Sequence, residues 1–143
     1  MKPEMTINER GTQRWILNGR LHREDGPAIE EEVGHKEWYI NGKLHREDGP
    51  AIEWTYGPKE WYINGKLHRE DGPAVEWASG RKEWYINGKR HREDGPAIEW
   101  FDRKVEWYID GKPIDLEQTI KDHPDGYGPL TFSDLAKLKL KYL

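Results

Sequence analysis

The stretch EWYINGKLHREDGPAIEW, residues 37–54, decides the fold of this chain. Its Asn-Gly dipeptide lies between two runs of apolar and aromatic residues, the strongest short signal for a β-hairpin with a two-residue type I′ turn. Its Asp-Gly-Pro segment predicts a second bend, after which Pro50 begins a further strand. The stretch therefore predicts a bent antiparallel unit made only of β-structure.

This unit recurs every 23 residues without insertion. Asn-Gly lies at 18–19, 41–42, 64–65 and 87–88, and Asp-Gly at 110–111; HREDGPA occurs four times, beginning at residues 22, 45, 68 and 91. A fixed period of this size predicts a stacked array in which each unit buries its surface on its neighbours. We expect an all-β fold, an elongated antiparallel meander of hairpin repeats, and with two strands per repeat each unit would advance the sheet by ~10 Å. The single repeat domain divides into residues 14–36, 37–59, 60–82, 83–105 and a partial unit at 106–115.

The end of the chain departs from the repeat. Residues 116–143 contain helix-start signals and the alternating run KLKLKYL, which suits either a last helix or a strand. We expect a small C-terminal cap, mainly helical, because an open sheet needs a terminal element to cover its last repeat.

The hairpin register follows from the turn. Cross-strand pairs counted back from a two-residue loop are Ile40–Lys43, Tyr39–Leu44, Trp38–His45 and Glu37–Arg46. Since side chains alternate across a strand, Trp38 and His45 share one face and Tyr39 lies on the other. In the next strand Ile52 and Trp54 share a face, and we expect Trp and Ile to form one continuous apolar stripe.

HREDGPA is interpreted as a structural turn rather than a reactive site. His covers the Trp opposite it, Arg pairs with the opposite Glu, and Gly supplies a positive φ before Pro restarts the strand. The residues expected to carry this repeat structure are Trp38, Trp61, Trp84, Trp107, His45, His68, Gly49 and Gly72.

Catalytic and metal-binding interpretations of the same residues are less favourable. Histidines one repeat apart would be ~10 Å from each other, too far to share one metal ion. Catalysis needs one asymmetric pocket with its acid and base tuned apart, whereas these copies are equivalent. We predict no catalytic residue, no metal site, no cofactor and no enzymatic activity.

Composition limits the remaining classes. Hydrophobic residues make up 34% and charged residues 35% of the chain, but 8 Trp and 7 Tyr can each bury a large area and stabilise a thin sheet. The net charge of −4 provides no general attraction to nucleic acid or anionic membranes. Without a cysteine, an apolar leader or a bilayer-length apolar run, the expected location is the cytoplasm.

The unit EWYINGKLHREDGPAIEW resembles the MORN repeat family, especially its bacterial and phage variants related to the YwqK antitoxin type. The match covers residues 14–112 and consists of an aromatic strand, an Asn-Gly-Lys turn and a second strand that ends in an aromatic residue. The resemblance implies a hairpin-repeat fold and a non-enzymatic interaction module. Its bacterial type implies an antitoxin or a phage-encoded inhibitor of a bacterial defence system, and hence the cytoplasm of a bacterial or infected bacterial cell.

Two functions remain open from the residues themselves. The first is a binding protein that docks a macromolecular partner, expected to be a protein, on its sheet and on the loops 31–35, 55–58, 78–81 and 101–103, where the copies differ most. The second is sequestration of a nucleotide or other small anion by an Arg and aromatic ladder, which unpaired Arg23, Arg46, Arg69 and Arg92 would favour. The residues expected to contact a partner are Tyr39, Tyr56, Tyr62, Tyr85, Phe101, Arg46, Arg69 and Arg92.

Overall fold

The computed structural model describes residues 1–115, and the expected cap at 116–143 lies outside them. Across residues 1–115 the chain contains no helix, and so none that could span a membrane. The strands are β1 (Glu4–Ile7), β2 (Gln13–Leu17), β3 (Arg20–Leu21), β4 (Ile29–Glu30), β5 (Lys36–Glu37), β6 (Tyr39–Ile40), β7 (Lys43–Leu44), β8 (Ile52–Glu53), β9 (Lys59–Glu60), β10 (Tyr62–Ile63), β11 (Lys66–Leu67), β12 (Val75–Glu76), β13 (Lys82–Glu83), β14 (Tyr85–Ile86), β15 (Lys89–Arg90), β16 (Ile98–Glu99), β17 (Val105–Glu106), β18 (Tyr108–Ile109) and β19 (Lys112–Pro113). The prediction of an all-β repeat fold is confirmed.

A long antiparallel meander forms the main sheet of the molecule. Its strand order is β1-β2-β4-β5-β8-β9-β12-β13-β16-β17, with β3 paired to β2. Each repeat supplies two neighbouring strands; β5, for example, pairs with β4 on one side and β8 on the other, so that Glu37 lies opposite both Ile29 and Ile52. The connections that contain the Asn-Gly hairpins all lie at one end of the meander's strands, and the variable loops connect the strands at the opposite end.

The hairpins form around the dipeptides that predicted them. Asn41 and Gly42 have φ angles of 51° and 78°, and positive φ at both central positions is the requirement of a type I′ turn. The register places Tyr39 opposite Leu44 and Ile40 opposite Lys43. The N–H of His45 donates to the carbonyl of Trp38 at 3.0 Å, which extends the hairpin by the third expected pair. Three of the four predicted pairs are therefore confirmed.

The fourth pair, Glu37 with Arg46, is wrong. The bend after His45 takes Arg46 out of the strand, and the chain rejoins the sheet at Ala51, whose carbonyl accepts from the N–H of Trp38 at 2.8 Å. Ile52, and not Arg46, then lies opposite Glu37. Because of this bend, the segment 36–40 pairs with residues 51–53 at its start and with residues 43–45 at its end.

Successive hairpins are joined by hydrogen bonds that recur with the period. The N–H of Gly65 donates to the Leu44 carbonyl at 2.8 Å, and the N–H of Arg46 donates to the Tyr62 carbonyl at 3.1 Å. The N–H of Asn64 donates to Nδ1 of His45 at 3.2 Å. His45 therefore fixes the turn of the following repeat, and His22, His68 and His91 make the equivalent bond.

The two faces of the array carry different side chains. Trp38, Ile40 and His45 line the same cleft and share a face, as predicted. The single Trp–Ile stripe is wrong, because Ile52 lies opposite Glu37 and therefore on the other face. Trp54, two residues along the strand, follows Ile52 to that face.

The fully buried centre is a row of alanines. Ala28, Ala51, Ala74 and Ala97 are 0% exposed. The carbonyl of each accepts from the N–H of a repeat tryptophan, and the N–H groups of Ala28 and Ala51 donate to the Glu37 and Glu60 carbonyls at 2.8 Å. A small side chain suits this position because two strands and the bend meet there.

The N-terminal segment covers the first repeat. Strand β1 pairs with β2, and Met5 lies opposite Trp15. Trp15 accordingly has a strand on each side within the array and does not lie at an open edge.

Candidate interaction surface

In the second, third and fourth copies of HREDGPA, the arginine is held by four groups of its own repeat. Nε of Arg46 donates to Asp48 at 2.8 Å, and Nη1 donates to the Pro50 carbonyl at 3.1 Å and to Glu53 at 2.9 Å. Its Cζ lies 4.0 Å from the centre of the Trp38 ring, a cation–π contact. Arginine therefore covers this Trp, a role that sequence reasoning assigned to His45.

The same arrangement recurs along the array. Arg69 contacts Asp71, Pro73, Glu76 and Trp61, and Arg92 contacts Asp94, Pro96, Glu99 and Trp84. Arg23 contacts Asp25, Pro27 and Trp15. The condition that would favour an anion-binding ladder, unpaired arginines, is not met.

The Arg–Asp pair also shifts the acid titration of these turns. The hydrogen bond from Arg46 lowers the pKa of Asp48, and the Arg46 charge acts in the same direction. Asp25 and Asp71 have their pKa values lowered by Arg23 and Arg69 in the same way. The turn is therefore built for an ionised carboxylate.

Gly49 serves this arginine and not a left-handed turn. The glycines with positive φ do not include Gly49 or its equivalent Gly72, so the expected positive φ is wrong. A Cβ atom on Gly49 would lie 2.9 Å from Cζ of Arg46 and 3.1 Å from Nε, closer than side-chain carbons normally approach. A side chain at this position would therefore displace the guanidinium, which packs on the glycine backbone.

The tyrosines of the repeats form a half-buried ladder whose hydroxyls are already bonded. Tyr39 donates to Glu37 at 2.7 Å, and Tyr62 and Tyr85 donate to the equivalent Glu60 and Glu83 at 3.0 Å. Burial is the main cause that raises the pKa of each phenol, and the neighbouring glutamate adds to it for Tyr39. Because their hydroxyls are bonded within the repeat, these tyrosines can offer a partner the exposed surface of their rings.

A row of exposed aromatic and aliphatic side chains lies in or next to the variable loops, at the end of the meander's strands opposite the hairpins; Met1, Met5, Ile7 and Val105 are exposed elsewhere. We call this row the loop edge; it comprises Val33 (71% exposed), Trp54 (46%), Tyr56 (95%), Trp77 (41%) and Phe101 (73%). Sequence reasoning identified Tyr56 and Phe101 but missed the two tryptophans, which it assigned to the apolar stripe. The sequence signal that could have identified them is the position of each tryptophan directly before a variable loop.

The loops are held against one another. His35 of the first loop stacks on Trp54 of the second with ring centres 3.7 Å apart, and the Thr55 hydroxyl donates to the Val33 carbonyl. In the third and fourth loops, Cζ of Arg81 lies 3.8 Å from the Trp100 ring. These contacts pre-organise the loop edge, which lowers the entropy lost on binding.

Two of these contacts differ between repeats although they occupy equivalent positions. Nε2 of His35 lies 2.6 Å from a carboxylate oxygen of Glu37, whereas Nη2 of Arg81 lies 2.7 Å from a carboxylate oxygen of the buried Glu83. Arg90, which stands where the first three repeats have Leu, adds a second guanidinium 3.6 Å from Glu83. The backbone frame of the repeats is therefore uniform, whereas the side-chain contacts of its glutamates differ from repeat to repeat.

Within residues 1–115 no group of three or more His, Asp or Glu side chains is placed to hold a metal ion. Comparison of the chain with protein-family models, curated proteins and solved structures found no match.

Proposed function

We propose that this protein is a non-enzymatic binding protein that holds a protein partner against the loop edge. The observation that carries the proposal is the row of exposed aromatic and aliphatic side chains on loops that differ from copy to copy, while the repeat frame beneath them is nearly invariant. Aromatic side chains dominate interface hot spots, and loops on a rigid frame carry specificity.

The partner class follows from the resemblance to the MORN repeat family, which remains a prediction. Under that resemblance the protein acts as an antitoxin or as a phage-encoded inhibitor of a bacterial defence system. Its effect would come from stoichiometric occupancy of the target, in the cytoplasm of a bacterial or infected bacterial cell.

The test uses two loop residues that contribute little to stability. Tyr56 is 95% and Phe101 is 73% exposed. Replacing both by Ala should leave the free energy of unfolding within about 0.5 kcal/mol per site. It should abolish capture of the partner that the wild-type protein enriches from host lysate, and Lys66→Ala at the hairpin edge is the matched control.

The purified partner is then titrated with the protein. A complex of fixed molar ratio, with its target activity suppressed in proportion, is the expected result. Capture that survives the double loop variant, or an effect at far less than one protein per target, would contradict the proposal.

A further inference from the structure

A second surface lies on the Trp face, away from the loop edge. Between consecutive HREDG turns the structure forms clefts of about 740, 680 and 860 Å³. The middle cleft has Trp61 and Ile63 as its floor, the 46–50 turn as one wall and residues 68–71 as the other. Each cleft repeats this lining, so the array presents a row of equivalent half-apolar sites.

The rim of each cleft is negatively charged. The charges of Arg46 and Asp48 compensate each other, since Nε of Arg46 lies 2.8 Å from the Asp48 carboxylate. The side chain of the neighbouring Glu47 is 86% exposed, and its carboxylate lies 3.6 Å from Nε2 of His45. Two carboxylates against one guanidinium leave one negative charge per turn when the imidazole is neutral. The equivalent rim glutamates are Glu24, Glu47, Glu70 and Glu93.

We propose that this row of clefts binds an extended, basic segment of a partner protein with a cationic side chain at every third residue. The arrangement matches such a segment in spacing. Two strands per repeat advance the clefts by ~10 Å. A chain in the extended polyproline II conformation has three residues per turn and rises ~3.1 Å per residue, so every third side chain returns to the same face after ~9 Å. A segment laid along the array would therefore present equivalent side chains to successive clefts.

The chemistry of a single cleft fits lysine or arginine. The aliphatic stem of such a side chain packs on Trp61, Ile63 and Pro50, while its charged head reaches the rim at Glu47 or Glu70. Arg69 covers one face of the Trp61 ring and also lines this cleft, but Trp61 remains partly exposed. The surface is also independent of the loop edge, so it does not rest on the function proposed above.

The probes are two synthetic peptides of about twelve residues, long enough at ~3.1 Å per residue to span the three clefts and their four rim glutamates. One is Lys-Ala-Thr repeated four times, and the other has the same composition with its four lysines adjacent. Binding to the full chain is measured by titration calorimetry at low and moderate salt. We expect the periodic peptide to bind about tenfold more tightly, since clustered lysines can reach only one or two rim glutamates.

Two double variants of equal charge locate the contact. Glu47→Gln with Glu70→Gln should weaken the periodic peptide about fivefold, because each exposed ion pair contributes modestly. Glu9→Gln with Glu32→Gln, away from the clefts, should leave its affinity unchanged, as should Tyr56→Ala at the loop edge. All the replaced glutamates lie at the surface, and thermal unfolding confirms that each variant is folded.

Three results would overturn the proposal. They are equal affinity for the two peptides, equal weakening by the two double variants, and no binding at low salt. The first two would mean attraction by net charge alone, which spermine as a competitor would reproduce.

Discussion

Gly72→Ala should destabilise the protein by about 1–2 kcal/mol, and the loss should disappear when Arg69 is also replaced. A Cβ atom at this position would lie 2.9 Å from Cζ of Arg69 and 3.1 Å from Nε and Nη2. The guanidinium has little room to retreat, because Trp61 lies 4.1 Å away and Asp71 and Glu76 each bond it at 2.9 Å.

The magnitude combines two opposing effects. Overpacking of this kind typically costs about 1–3 kcal/mol. Replacing Gly by Ala where φ is not left-handed returns about 0.4–1 kcal/mol, because the unfolded chain has fewer conformations to lose. In an Arg69→Ala background only the second effect remains, so Gly72→Ala should there be neutral or slightly stabilising.

The measurement is a double-mutant cycle in which urea unfolding is monitored by tryptophan fluorescence. The expected coupling free energy between Gly72 and Arg69 is about 1–3 kcal/mol. Gly80→Ala is the control, since Gly80 has φ +93° and no atom within 4 Å of its Cβ position. Its cost is backbone strain and should not depend on Arg69. If Gly72→Ala costs the same in both backgrounds, contact with the guanidinium is not the reason for glycine.

The remaining predictions concern the same repeat frame. Trp61→Ala should cost about 3–4 kcal/mol in urea unfolding, since the ring supports both Arg69 and the cleft floor, and a loss below 1 kcal/mol would contradict this packing. Gly49→Ala should destabilise more than His45→Ala, whose inter-repeat hydrogen bond to a solvent-exposed N–H is worth about 0.5–1.5 kcal/mol; the reverse order of unfolding midpoints would be evidence against a structural turn. Because the folded-state pKa of Asp71 is lowered, its contribution is fully present above the ordinary carboxyl pKa of about 3.9 and is lost as the pH falls through the folded value. Urea midpoints measured across this range should therefore decline less steeply for Asp71→Asn, and an unchanged slope would refute the role of the Arg–Asp pair.

The sequence by itself determined the hairpins and their stacking. Asn41-Gly42 must take positive φ at both positions at low cost, which fixes the turn and hence the pairing of Tyr39 with Leu44. An identical spacing in each copy then fixes the meander, because every unit must meet its neighbour with the same strand edges. Local turn chemistry and a strict period suffice for this much of the fold.

Only the tertiary structure decided what the side chains of the bend contact. Arg46 is long enough to leave its strand and reach Trp38, Asp48 and Glu53, and no alternation rule specifies which partner it takes. The same bend restarts the strand so that Ile52 lies opposite Glu37, which moves Trp54 to the other face and into contact with His35. Periodicity describes residues within one strand, whereas the loop edge and the clefts depend on where an interrupted strand resumes.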